Sequence, residues 1–308
     1  MSSPQRALDD LIVELREQPS DDGGCALTGA MRFAKALEGP PGRLHGGYHA
    51  HVRTLPIVSR CSAHDPARTF PCALDVDIRQ ALPLEQDVPF DATYHSTEAG
   101  WELRTRFDGS ERLRATLRSL PSGPLLTEDE LARYRSLHAA SHPPDSTFKM
   151  FGVSVQLGAQ LVMVAGQDPR RTQPGSQLAD LTDDDGAFGP ALIAAQLDAV
   201  GAVAQGTRMR HPHFTKRIEL SYAQASVPKE TAFVFVSDRT TIEVDTHSTT
   251  PSVEIKGQRW GTVRVRVALL DARFEHAFAV GHVTVHPVDP EKFAPLKEMR
   301  QLRDDSGA

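Results

Sequence analysis

Residues 190–205, PALIAAQLDAVGAVAQ, limit the fold of this chain more than any other stretch. They are Ala-rich and apolar on most faces, so they read as a helix that must be enclosed, not laid on a surface. The flanking segments have a different period. FGVSVQLGAQLVMVAG precedes the helix as an apolar strand region. KRIELSYAQASVPKETAFVFVSD, TTIEVDT, WGTVRVRVALLD and FEHAFAVGHVTVHPV follow it and read as strands. A buried helix bracketed by strands calls for an antiparallel sheet wrapped around it.

The same order occurs earlier in the chain. Residues 25–37 read as a strand with a short helical turn. GPPGRLHGGYHAHVRT, residues 39–54, then opens a helix predicted from Tyr48 to about Arg60, which Pro56 kinks or ends. CALDVDIRQALPLEQDVPFDATYHS, WELRTRFDG and ERLRATLRSLP alternate apolar and polar residues as half-buried strands do, with a hairpin at Asp108-Gly109. VDIRQALPLEQDVPF and IELSYAQASVPKETAF both read as strand, Pro-containing break, strand, which points to an internal duplication with a period of roughly 140 residues. Between the halves, Thr127 with Glu130 three positions on caps a linker helix. The first twenty residues read as a short amphipathic helix. The expected organisation is therefore an N-terminal helix over 1–22, a first domain over 23–120, a linker over 121–148, a second domain over 149–289 and a polar tail over 290–308. Segment 167–188 reads as a lid or an ordered loop.

Composition excludes several functions. The 308 residues are 40% hydrophobic and 24% charged, with a net charge of -6 and both signs interspersed. No basic stripe suits nucleic acid. There is no apolar run near the length of a membrane span and no signal-peptide core, so a cytoplasmic protein is expected. Three cysteines without a Cys-x-x-Cys pair argue against a disulfide framework or a cysteine zinc site and fit a reducing compartment. His45 and His49 have metal-ligand spacing, and His138/His142 and His211/His213 also pair. No His-Glu-x-x-His or cysteine supports them, so no metal is expected. Walker, dinucleotide and Gly-x-Ser-x-Gly motifs are absent. Arg43, Arg53, Arg208 and Arg210 near the two helices are either solvated charges or partners for phosphate.

His45, Gly46 and Gly47 stand where the first helix begins. A helix N-terminus presents unpaired N–H groups and partial positive charge, and glycine admits a ligand to the backbone. Such an end can hold a carbonyl oxygen as negative charge develops on it. Asp198 sits in the apolar second helix, where ionisation is costly and its pKa is expected to rise, as suits a general base.

Together with the duplicated layout, these residues resemble the His-Gly-Gly type hotdog thioesterases in a double hotdog arrangement. The fold implied is α+β, two tandem hotdogs, each a long central helix wrapped by an antiparallel sheet. The resemblance implies an acid nine residues after the motif histidine. In the first half that position is Thr54, which cannot act as a base. Laid on the same template, the second half puts Gly189, Pro190 and Ala191 in place of His-Gly-Gly and Asp198 on the acid position. The implied active site is thus composite. Asp198 activates water or attacks, Gly46 and Gly47 stabilise the oxyanion, and His45 positions the substrate. Tyr48, Thr54 and Gln196 are candidates for substrate binding. The implied partner is an acyl-CoA or acyl-carrier-protein thioester, with no cofactor. The second site, Thr54 with Gly189-Pro190, would be inert. Sheet edges of such a fold offer a route to homo-oligomers.

A looser resemblance links Pro190, Ala191 and Leu192 to the HPALLDAALQ helix of polyketide-type dehydratases, also double hotdogs. There the catalytic Asp would fall on Ala194 and the glutamine on Asp198, and His-x3-Gly-x4-Pro has no clean match at His45. Dehydration of a β-hydroxyacyl thioester, or hydration of an enoyl one, is the alternative activity. A non-catalytic acyl-thioester-binding or scaffold protein is the alternative outside enzymes.

Overall fold

The computed structural model describes residues 11–20, 24–38, 42–78, 80–98, 100–150, 153–164, 189–209, 213–227, 231–244, 252–255 and 257–289. The first half contains β1 (Ile12–Pro19), β2 (Cys25–Arg32), α1 (Gly46–Val52), α2 (Leu55–Val58), β3 (Cys72–Asp77), β4 (Asp87–Thr97), β5 (Gly100–Phe107) and β6 (Ser110–Ser119). Helix α3 (Glu128–Ala140) leads to β7 (Ser146–Met150), β8 (Val153–Leu157) and β9 (Leu161–Val164). Then come α4 (Pro190–Met209), β10 (His213–Tyr222), β11 (Phe233–Val244), the small hairpin β12 (Val253–Ile255) and β13 (Gln258–Trp260), β14 (Val263–Asp271) and β15 (Ala277–Pro287).

Thirteen strands form one sheet in the order β1-β2-β4-β5-β6-β3-β10-β15-β14-β11-β9-β8-β7. Every pairing is antiparallel. Toward the centre, β1-β2-β4-β5-β6-β3 on one side mirrors β8-β9-β11-β14-β15-β10 on the other. In each set the helix follows the second strand in chain order. The sets meet where β3 pairs with β10, Leu74 opposite Leu220, and Arg217 Nε donates to Asp75 Oδ1 at 2.8 Å across the seam.

Burial follows the sequence pattern. In the first half β3 and β5 alternate buried and less buried residues, so one face meets the core and the other water. In the second half LVMV of β9 and FVFVSD of β11 are buried without alternation. Helix α3 is the reason. Its Leu131, Tyr134 and Leu137 pack on the outer face of that sheet against Met163, Val234, Val236 and Leu270. Thr127 caps α3 through the predicted capping box with Glu130. Asp108 and Gly109 both have positive φ, 51° and 61°, in the predicted hairpin.

Two local expectations are corrected. Residues 12–19 are a strand, not part of a helix. So short a helix is marginal alone, whereas pairing with β2 satisfies the backbone and lets Ile12 and Leu15 pack on the core. The helix after His45 begins at Gly46 and breaks at Arg53-Thr54, before Pro56. Pro56 then falls in the first turn of α2, where a missing N–H is harmless. Segment 167–188 and the tail 290–308 lie outside the described residues.

Candidate active site

The loop before α1 is pinned by the 3-10 turn Lys35–Leu37 and by the loop between β3 and β4. Leu44 N donates to Leu82 O and His45 N to Leu37 O, both at 3.0 Å. His45 is then the extended N-cap of α1, and its Nδ1 accepts from Gly47 N at 3.1 Å. A backbone N–H only donates, so Nδ1 is the acceptor there. A neutral His45 therefore carries its N–H on Nε2, which is left to donate a hydrogen bond.

Helix α4 crosses α1 at this turn. A Cβ on Gly47 would lie 2.4 Å from Ala195 Cα, so only glycine lets the two backbones approach. A Cβ on Gly46 would lie 2.7 Å from Asp198 Oδ2 and 2.9 Å from Thr215 Oγ1. The glycines thus make room for α4 and for its carboxylate. Asp198, from the second half, sits directly over the His-Gly-Gly turn of the first.

Asp198 is 4% exposed and accepts a hydrogen bond from Thr215 Oγ1 at 2.6 Å. Burial raises its pKa. His45, Thr215, His213 and the Gly47 N–H oppose the rise without cancelling it. A carboxylate with a raised pKa beside an imidazole is equipped to move a proton between neighbouring atoms of a bound molecule. His45 and Gly46 are only part-buried, so the turn meets solvent there.

The other predicted residues fall as follows. Tyr48 is buried, its ring centroid 5.5 Å from that of His45. The Thr54 hydroxyl donates to Ala50 O at 2.9 Å and ends α1. Gln196 is buried with Oε1 unpartnered, but two positions from Asp198 it faces a different side of α4. Tyr222 Oη donates to Pro190 O at 3.3 Å at the start of α4. Arg53 is fully buried, its Nη1 donating to Asp77 O at 2.8 Å and its guanidinium 5.8 Å from the centre of the Phe107 ring. That rules it out as a surface partner for phosphate. His49, one helical turn from His45, is fully buried.

Thr215 escaped the sequence reading, and His213 figures there only for its pairing with His211. They lie two apart on β10, hence on one face, and a register shift between Thr215 and Arg217 marks a local irregularity beside them. Alternation alone places both on one side; that this side meets Asp198 depends on how β10 returns along α4.

No family model and no curated protein matches the sequence. Solved structures do match. An N-terminal dehydratase from the difficidin assembly line superposes with a TM-score of 0.57 at 11% identity, covering 90% of this chain and 98% of that one. The PpsC dehydratase domain of Mycobacterium tuberculosis in complex with C12:1-CoA gives 0.51 at 14% identity, covering 91% and 99%. An inactive His-to-Phe mutant of the CurJ dehydratase with a bound compound gives 0.55 at 12% identity, covering 92% and 98%. The chain therefore has the hotdog fold of polyketide synthase dehydratase domains. The likeness of these structures is to the dehydratases, the looser of the two resemblances read from the sequence. Among the described residues, no helix is long and apolar enough to cross a membrane.

Proposed function

We propose that the chain is a tandem double hotdog that dehydrates a β-hydroxyacyl thioester, or hydrates the enoyl thioester in reverse, at one site between its halves. The observation that carries this reading is the convergence of His45 from one half and Asp198 from the other on the Gly46-Gly47 turn. The mirrored strand order supports the tandem layout, with halves over 23–120 and 149–289. The printed descriptions of the neighbours, dehydratases with one bound to an acyl-CoA, support the substrate class.

In the proposed reaction the Asp198 carboxylate takes a proton from Cα. The electron pair forms the Cα–Cβ double bond as the Cβ–oxygen bond breaks. The protonated Asp198 then delivers that proton to the departing hydroxyl, which leaves as water, so the carboxylate is regenerated. His45 Nε2–H meanwhile donates a hydrogen bond to the substrate. Thr215 holds Asp198 in place, and Tyr48 borders the acyl group. Thioester hydrolysis needs an open oxyanion donor at this turn. The Gly47 N–H is instead turned to His45 Nδ1 and Asp198, which favours the dehydratase reading. No cofactor enters this scheme.

The test is hydration of a panel of enoyl-CoAs, followed by loss of enoyl absorbance, with a thiol reagent present in parallel. The reading predicts hydration without thiol release, lost in Asp198→Asn and His45→Ala with the fold retained. Thiol release that depends on Asp198 would establish the hydrolase instead.

A further inference from the structure

Away from this site, the first half brings two thiols together. Cys25 opens β2 and Cys61 follows α2. Both are buried, and their Sγ atoms are 2.7 Å apart. Glu17 of β1 completes the group, its Oε1 3.8 Å from Cys61 Sγ. Ser62 holds that carboxylate, donating from N at 3.2 Å and from Oγ at 2.8 Å.

The three side chains offer donors to a metal. Two thiolates on one tetrahedral zinc, each about 2.3 Å from it, would sit roughly 3.8 Å apart, whereas sulfurs in a disulfide are about 2.05 Å apart. The observed separation is nearer the second arrangement, and the group supplies only three ligands. Cys61 is the more exposed thiol, at 4% against 1% for Cys25. It also has the proton acceptor beside it.

We propose that Cys25 and Cys61 form an oxidative cross-linking site that a peroxide joins as a disulfide. Cys61 gives its proton to Glu17, and its sulfur attacks one peroxide oxygen. The oxygen–oxygen bond breaks, Cys61 becomes a sulfenic acid, and the hydroxide released takes the proton from Glu17 as water. Cys25 sulfur then attacks Cys61 sulfur. The sulfur–oxygen bond breaks, and the hydroxide leaves with the Cys25 proton as a second water. Two thiols lose two electrons and one peroxide gains them. The bond closes a loop over residues 25–61, which carries α1 and His45.

Burial raises both thiol pKa values, so the reaction is slow at neutral pH and quickens as pH rises. Closing a loop of this length should raise the thermal midpoint of a chain this size by roughly 5–10 °C.

The test treats the whole reduced protein with hydrogen peroxide, then unfolds it, alkylates free thiols and maps the peptides by mass. The expected product is a Cys25–Cys61 linked pair two hydrogens lighter than its parts, with Cys72 alkylated. The midpoint rise should reverse with dithiothreitol. Cys61→Ser should abolish both effects and Cys72→Ser neither. Alkylation of both Cys25 and Cys61 after peroxide would overturn the proposal. So would over-oxidation of Cys61 with Cys25 free, a link through Cys72, or stoichiometric zinc that shields the pair.

Discussion

Replacing each glycine of the α1 turn with alanine separates its two structural duties. At Gly47 the added Cβ would lie 2.4 Å from Ala195 Cα, and ordinary contact begins at 3.4 Å, so α1 and α4 must part by about 1 Å. Overpacking of that kind costs about 1–3 kcal/mol, partly offset by the ~1 kcal/mol gain in helix propensity. A net loss of up to about 2 kcal/mol lowers the midpoint by up to a few degrees. Moving His45 about 1 Å from Asp198 should cost about 100-fold in kcat/KM. At Gly46 the obstacles are Asp198 Oδ2 and the Thr215 side chain, which can turn aside. Gly46→Ala should therefore keep the midpoint within about 1 °C yet lose at least ~100-fold in kcat/KM, because the carboxylate is displaced. Circular dichroism melts and enoyl-thioester hydration measure both. Wild-type activity in Gly46→Ala, or an unchanged midpoint with full activity in Gly47→Ala, would refute this account of the turn.

Further outcomes follow from the same geometry. His45→Ala should lose about 1 kcal/mol by urea titration through the missing cap, and His45→Asn should recover that stability but not activity. Asp198 has a raised folded pKa, so stability falls as pH climbs from about 4 through that value. Asp198→Asn should therefore be more stable than wild type at neutral pH, with the difference shrinking in acid; a constant difference would count against a buried carboxylate. Burial lowers His49, His51 (to about 4) and His282 (to about 4), so their contribution is fully present above about pH 6.5 and lost as pH falls toward 4. The urea midpoint should drop between pH 7 and 5, and His51→Leu should flatten that drop.

What could be read from the sequence was governed by local rules. The enclosed helix α4, the hairpin at Asp108-Gly109 and the capping box at Thr127 depend on residues within a few positions of each other. The edge strand β1 could not be read, because eight residues carry both periods weakly and β2 decides between them. The meeting of Asp198 with the His-Gly-Gly turn was reachable by laying one half over the other. The reason for both glycines was not: it lies in the crossing of α1 and α4, a contact spanning about 150 residues of chain. Thr215 and the Cys25–Cys61 pair were hidden for the same reason. Their partners are set by how strands return, and neither spacing follows a motif.

The most direct test of the central claim is mass analysis of the products from a panel of 3-hydroxyacyl-CoAs, comparing wild type with Asp198→Asn. The account predicts an enoyl-CoA one water lighter, with the thioester intact, and no such product from Asp198→Asn. Free coenzyme A and a hydroxy acid, or equal dehydration by Asp198→Asn, would contradict it.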